Sequence, residues 1–186
     1  HCGCIPYLMA AGWDRPIYCS RPTAELLPLV MEDALRIGFT RNKRVIGEFQ
    51  RKVGRLLHPV PYHRWVPLPN GGQVRLRPAG HVLGSTIFEV ELADGRTVVF
   101  SGDLGSRNEP LLKEFTSPPR ADLLVLESTY GDRLHDSGVN RREELERVLR
   151  HTLENRGVTI IPAFALGRTQ SLLFELNLIF EHVQRT

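Results

Sequence analysis

A chain of 186 residues, 41% of them hydrophobic, has apolar mass for one domain or one and a fraction, which excludes a disordered or fibrous protein. Its formal net charge of +3 tolerates a polyanionic partner without demanding one, and no apolar run reaches the roughly 20 residues of a membrane span. Three cysteines, Cys2, Cys4 and Cys19, form no secreted disulfide framework, and the first two lie too close together for paired zinc thiolates. They read as buried free thiols in a reducing cytoplasm.

The chain opens on "HCGCIPYL", a histidine with no methionine before it. A first helix is predicted from Pro22 to Gly38, with Ser20 or Thr23 near its cap, Gly38 as its stop and Pro28 separating or kinking its first turn. A second is predicted from Val45 to Leu57, apolar at Val45, Ile46, Phe49, Val53, Leu56 and Leu57. Its other face carries Arg44, Arg51, Lys52 and Arg55. Such a face is ordinarily a solvated one, with a nucleic-acid backbone as the alternative partner.

From Gln73 the hydrophobic period changes to two. "QVRLRPAGH" and "STIFEVELADGRTVVFSGD" alternate, with Ala93-Asp94-Gly95 supplying a hairpin turn. "ADLLVLE" is a continuous apolar run, expected of a strand covered on both faces. "RREELERVLRHTLENRG" is a predicted helix with Leu145, Val148, Leu149 and Leu153 on one face and Gly157 as stop. "VTIIPAF" is a predicted strand. "RTQSLLFELNLIFEHV" is a predicted helix turning Leu172, Leu173, Leu176, Ile179, Phe180 and Val183 inward. The class is α/β, with hairpins early and strand–helix alternation late.

Three polar groups share one setting. His81 follows a strand and precedes Gly84, Asp103 follows "TVVFSG" and precedes Gly105, and Glu127 ends "ADLLVLE". Side chains at strand ends before glycine-containing turns are held by the sheet and open to substrate. Imidazole and carboxylate also suit a divalent ion such as zinc. Each has an ordinary role as well: a turn cap for Asp103, a hydrogen-bonded core residue for His81, a loop cap for Glu127.

The strings "HCGCIPYL", "AGHVLGSTIFEVE", "FSGDLG", "LESTYGDR" and "IPAFALGRTQSLL", in this order, resemble the β-CASP family of metallo-β-lactamase-fold nucleases. The likeness is to the branch of the cleavage-and-polyadenylation nuclease subunit with its bacterial and archaeal relatives. It is thinnest over residues 38–72 and 134–156. The resemblance implies a partial αββα sandwich over residues 1–131, followed by the start of an inserted β-CASP α/β domain over 132–186. It also implies a hydrolase using two zinc ions to cleave RNA, by endo- or 5′-exonucleolytic attack.

By position, His1 resembles the last histidine of a His-x-His-x-Asp-His run and so a ligand of the second zinc; the chain then reads as a fragment that starts after the rest of that run. His81 resembles a ligand of the first zinc, and Asp103 the carboxylate bridging both. Glu127 resembles the acid that orients a later histidine, which, like the last ligand histidine, is expected beyond Thr186. Ser128, Thr129, Tyr130 and Gly131 would line the substrate cleft. Arg168 in "GRTQ" either meets phosphate or simply starts a helix capped by Thr169, the two readings standing even.

Tyr130 has a better claim to stack a base than Trp13 or Trp65, which read as packing residues. His58, His63, His135 and His151 read as ordinary surface or capping residues, and His182 matches neither of the histidine motifs expected later in the family. The implied partner is single-stranded RNA, with no membrane, in a homodimer or an RNA-processing complex. The fragment alone is expected to be inactive. The competing readings are a non-catalytic scaffold subunit and a small-molecule metallohydrolase.

Overall fold

Ser20 starts the first long helix by accepting the Thr23 N–H on its side chain, and Pro22 fits the first turn, where no N–H is needed. The computed structural model describes residues 2–69, 71–107, 109–133 and 140–185, with side chains described to 182. These fall into two compact units, His1–Glu127 and Ser128–Thr186.

The first unit begins with α1 (Ile5–Ala10), β1 (Ile17–Ser20), α2 (Arg21–Gly38), α3 (Lys43–Leu56) and β2 (Leu57–Val60). β1 and β2 pair in parallel, so the two long helices form the crossover between them. Pro28 lies inside an uninterrupted α2, so the first turn is not separate from the rest. The interior proline costs about 3 kcal/mol, whereas burying Leu27, Met31 and Leu35 on either side stabilises by about 1.5–3 kcal/mol each. Burial wins. Asn42 caps α3 by accepting the Arg44 N–H, and Val53 joins Met9, Leu27 and Met31 in one apolar cluster.

A five-stranded sheet follows in the order β3 (Val66–Pro67), β4 (Gln73–Pro78), β5 (Thr86–Glu91), β6 (Thr97–Phe100), β7 (Leu123–Val125). All neighbours are antiparallel except β6 and β7, which are parallel. One face packs Val74 and Leu76 on Val60, with Tyr18, Tyr62, Phe88 and Val90 around them. The other carries Ala79, Ile87 and Val99 beneath Leu104 and Phe115. It also buries Glu89, 1% exposed, whose carboxylate takes Arg75 at 2.6 Å and Arg77 alongside. The Arg75 guanidinium lies 4.3 Å over the Trp65 ring, so Trp65 is a packing residue.

β4, β6 and β7 run in one direction. Their C-terminal ends therefore share one edge of the sheet.

Two apolar runs behave differently from expectation. β7 is bare rather than covered on both faces, with Leu123, Leu124, Val125 and Leu126 all about half exposed. "VTIIPAF" forms no strand, and Val158 and Ile160 are exposed. An apolar run records what a segment would bury, and among the described residues no strand pairs with 158–164. Cysteine burial also differs: Cys19 is buried, but Cys2 is half-buried and Cys4 is exposed, because Cys4 is the cap residue of α1.

The second unit contains α4 (Arg141–Glu154) and α5 (Arg168–Arg185), joined by Arg142 and Glu175 at 2.6 Å. Ile179 is buried, but Leu153, Leu173 and Phe180, expected inward, are exposed. Two helices supply a narrow seam, too narrow for the full apolar stripe of either. α4 ends one residue earlier than its glycine suggests: Arg156 takes the left-handed conformation (φ 49°), and the Gly157 N–H closes on the Thr152 carbonyl. No helix among the described residues is long and apolar enough to cross a membrane.

Candidate metal centre

His81 follows β4, Asp103 follows β6 and Glu127 follows β7, so the topology brings all three loops to the common edge. The His81 loop turns on Gly80 and Gly84, both with positive φ. The backbone N–H groups of His81 and Val82 donate to the Ser85 hydroxyl at 2.9 and 3.2 Å. The Gly84 carbonyl accepts the hydroxyls of Ser20 at 2.8 Å, Thr23 at 3.0 Å and Thr86 at 2.7 Å. The start of α2 thus clamps the loop that carries His81. A side chain at Gly84 would meet the Thr23 hydroxyl at 2.7 Å, so only glycine fits. The His81 residue itself is exposed.

The Asp103 loop is held on both sides of the aspartate. Before it, buried Ser101 donates its N–H to the Val125 carbonyl and accepts the Glu127 N–H on its hydroxyl at 3.0 Å. After it, the Leu104 N–H donates to the Glu127 carboxylate at 2.5 Å. The next N–H, that of Gly105, donates to the Ala79 carbonyl at 2.8 Å. This last bond ties the Asp103 loop to the His81 loop. It requires glycine, because a methyl group at position 105 would overlap the Gly80 carbonyl.

The donor chemistry of His81 and Asp103, one imidazole and one partly buried carboxylate, fits a divalent ion such as zinc in kind. In number it is short. Among the described residues no group of three or more His, Cys, Asp or Glu side chains is arranged to hold a metal. His1, the remaining expected ligand, lies outside the described residues, as does His135.

In the second unit Ser128, Thr129 and Tyr130 are exposed in a turn closed by the Gly131 N–H on the Ser128 carbonyl. Arg168 is exposed at the first residue of α5. Thr169 does not cap by accepting a backbone N–H: it donates its hydroxyl to the Phe164 carbonyl at 2.7 Å.

The clamp from Ser20 and Thr23 was not visible in the sequence, since its partners lie 64 and 61 residues apart. The one local hint was that both residues sit at a helix start, which explains a cap but not a reach across the fold.

No family model matches the chain. Among curated proteins it is 36% identical to Ribonuclease TTHA0252 of Thermus thermophilus over 178 residues, covering 95% of this chain and 40% of that protein. It is 34% identical to transcription termination factor FttA of Methanocaldococcus jannaschii, covering 95% and 29%. It is 30% identical to Integrator complex subunit 11 of Danio rerio, covering 98% and 31%. The chain therefore spans less than half the length of these relatives. The mixed α/β fold is consistent with a partial metallo-β-lactamase-type protein. These likenesses bear out the resemblance to the β-CASP family.

Proposed function

We propose that the chain supplies metal-binding and substrate-facing residues to a zinc-dependent hydrolase that cleaves RNA phosphodiester bonds, in either endo- or 5′-exonucleolytic mode. The observation that carries the reading is the joining of the strand-end loops of His81, Asp103 and Glu127 through the Gly105–Ala79 and Leu104–Glu127 bonds. Similarity to a protein named a ribonuclease supports RNA as the substrate.

In this reading His81 would hold one ion and His1 the other, each through an imidazole nitrogen. Asp103 would bridge both, since a carboxylate has two oxygens to offer. A bound zinc pair supplies a hydroxide nucleophile at neutral pH and positive charge for the phosphate oxygens. The chain's own work is positional. Glu127 holds the backbone just after Asp103, Ser101 holds it just before, and the α2 start fixes the His81 loop. Ser128, Thr129 and Tyr130 would contact a single-stranded substrate, with the Tyr130 ring available for a base to stack on. Arg168 would attract a phosphate at the start of α5. A homodimer or an RNA-processing complex is the proposed setting.

The test is Asp103→Ala in the full-length gene product, assayed for RNA cleavage and bound zinc. Turnover should fall more than about 100-fold, as removing a metal ligand outweighs loss of the groups that merely support one. The unfolding midpoint should stay within a few degrees. Near-normal turnover would overturn the bridging role.

A further inference from the structure

The solvent face of α3 concentrates cations that lack counter-charges. Between Arg36 and Arg55 the chain places seven Lys and Arg residues against a single carboxylate, Glu48, while the whole chain is only +3; the rest of the molecule is net acidic. Arg44, Arg51 and Arg55 fall at i, i+7 and i+11, on one stripe roughly 16 Å long. The opposite face holds Ile46 and Val53, 3% and 1% exposed. Where α3 begins, Arg36, Arg41 and Lys43 line a surface recess of about 260 Å³.

Three of the seven are engaged. Arg36 meets Glu32 at 3.1 Å, Arg44 meets Glu48 at 3.0 Å, and the Lys52 ammonium donates to the Met9 carbonyl at 3.2 Å. Arg41, Lys43, Arg51 and Arg55 are exposed and have no carboxylate partner among the described residues. α4 shows what an ordinary charged solvent face of this protein looks like. There Arg142, Arg147 and Arg150 are each paired, with Glu175, Glu144 and Glu146. Four like charges, Arg41 just before α3 and Lys43, Arg51 and Arg55 along it, repel one another, at a cost that a polyanion would remove.

We propose that this α3 surface binds the phosphate backbone of an RNA strand outside the cleavage site, as a sequence-independent holding site for long substrates. The proposal rests on the RNA reading above for the choice of polyanion. A membrane is the weaker fit, because a helix that lies on lipid inserts its apolar face, and that face of α3 is buried against α2 and α1. Backbone binding predicts strong salt dependence, with each neutralised phosphate contributing about 0.7 to the slope of log K against log salt for single strands.

The experiment replaces Arg41, Lys43, Arg51 and Arg55 together by glutamate in the full-length gene product, with a parallel all-glutamine set in case charge reversal impairs folding. A labelled RNA of about 60 nucleotides and one of about 10 are compared for cleavage. Binding of the longer one is also measured in an Asp103→Ala background, where cleavage does not interfere. Expected are at least a tenfold weaker binding and higher KM for the long RNA, unchanged kcat and KM for the short one, and a salt slope flatter by about 3. Equal effects on both lengths, unchanged binding of the long RNA, or tighter binding to phosphatidylserine vesicles than to RNA would overturn the proposal. Charge-dependent binding of the long RNA by a protein that cleaves none would instead overturn the nuclease reading and leave this surface standing.

Discussion

Gly105 is fixed by two demands at once: its N–H must reach the Ala79 carbonyl, and its missing side chain leaves room for the Gly80 backbone. Gly105→Ala should therefore push the Asp103 and His81 loops apart. A loss of about 2 kcal/mol or more is expected, since neither partner is a flexible side chain that can move aside. Zinc content should fall with it. Urea unfolding and metal analysis of the full-length product check this, and an alanine variant with wild-type stability would mean the loops do not meet here. The places of His81, Asp103 and Glu127 just past strand ends were legible in the sequence, because each follows an alternating or apolar run. The bonds that join them were not. Ser101 with Glu127, or Ser20 with Gly84, are pairs that only the folded sheet brings together.

The β4–β5 ladder shows the same split at the scale of elements. Alternation in "QVRLRP" and "TIFEVE" reads as one apolar and one polar face, yet Glu89 on the polar side is almost wholly buried. Burial pushes its carboxyl up, but the hydrogen bonds and charges of Arg75 and Arg77 outweigh this and hold it below the usual carboxylate range. The ion pairs thus stabilise the sheet above the unfolded glutamate value of about 4.3, and that contribution is lost as pH falls through the lower folded value. Glu89→Gln should cost about 3 kcal/mol at pH 7, because two poorly solvated guanidinium groups lose their counter-charge. The gap between variant and wild type should narrow as pH falls below the unfolded value of about 4.3, because the unfolded chain then gains a proton that the folded carboxylate resists. Urea midpoints at pH 7 and pH 3 measure this, and a gap that widens in acid would refute the arrangement. Helix α2 carries a related lesson. Pro28 signalled a separate or kinked first turn, but the helix runs on through it, local propensity yielding to the buried residues around it.

For the molecule as a whole, hydrophobic pattern tells which segments need cover but not what covers them. "ADLLVLE" reads as a strand covered on both faces and "VTIIPAF" as a strand, and in this chain Leu123 to Leu126, Val158, Ile160 and Phe164 stand exposed. β7 pairs with β6 on one side only among the described residues, so it presents an open edge beside bare apolar side chains. Edges of this kind pair with other chains. The purified 186-residue chain should therefore self-associate as its concentration rises, and Leu124→Lys should reduce this while lowering the unfolding midpoint by no more than a few degrees, since Leu124 is about half exposed. Light scattering across a dilution series tests both. The same preparation should retain fewer than two zinc ions per chain, because His1, His81 and Asp103 are too few donors to enclose a pair. A monodisperse chain holding two zincs would require both the open edge and the ligand assignment to be redrawn, since a closed metal site and a covered β7 would each need donors and apolar surface that these residues do not supply.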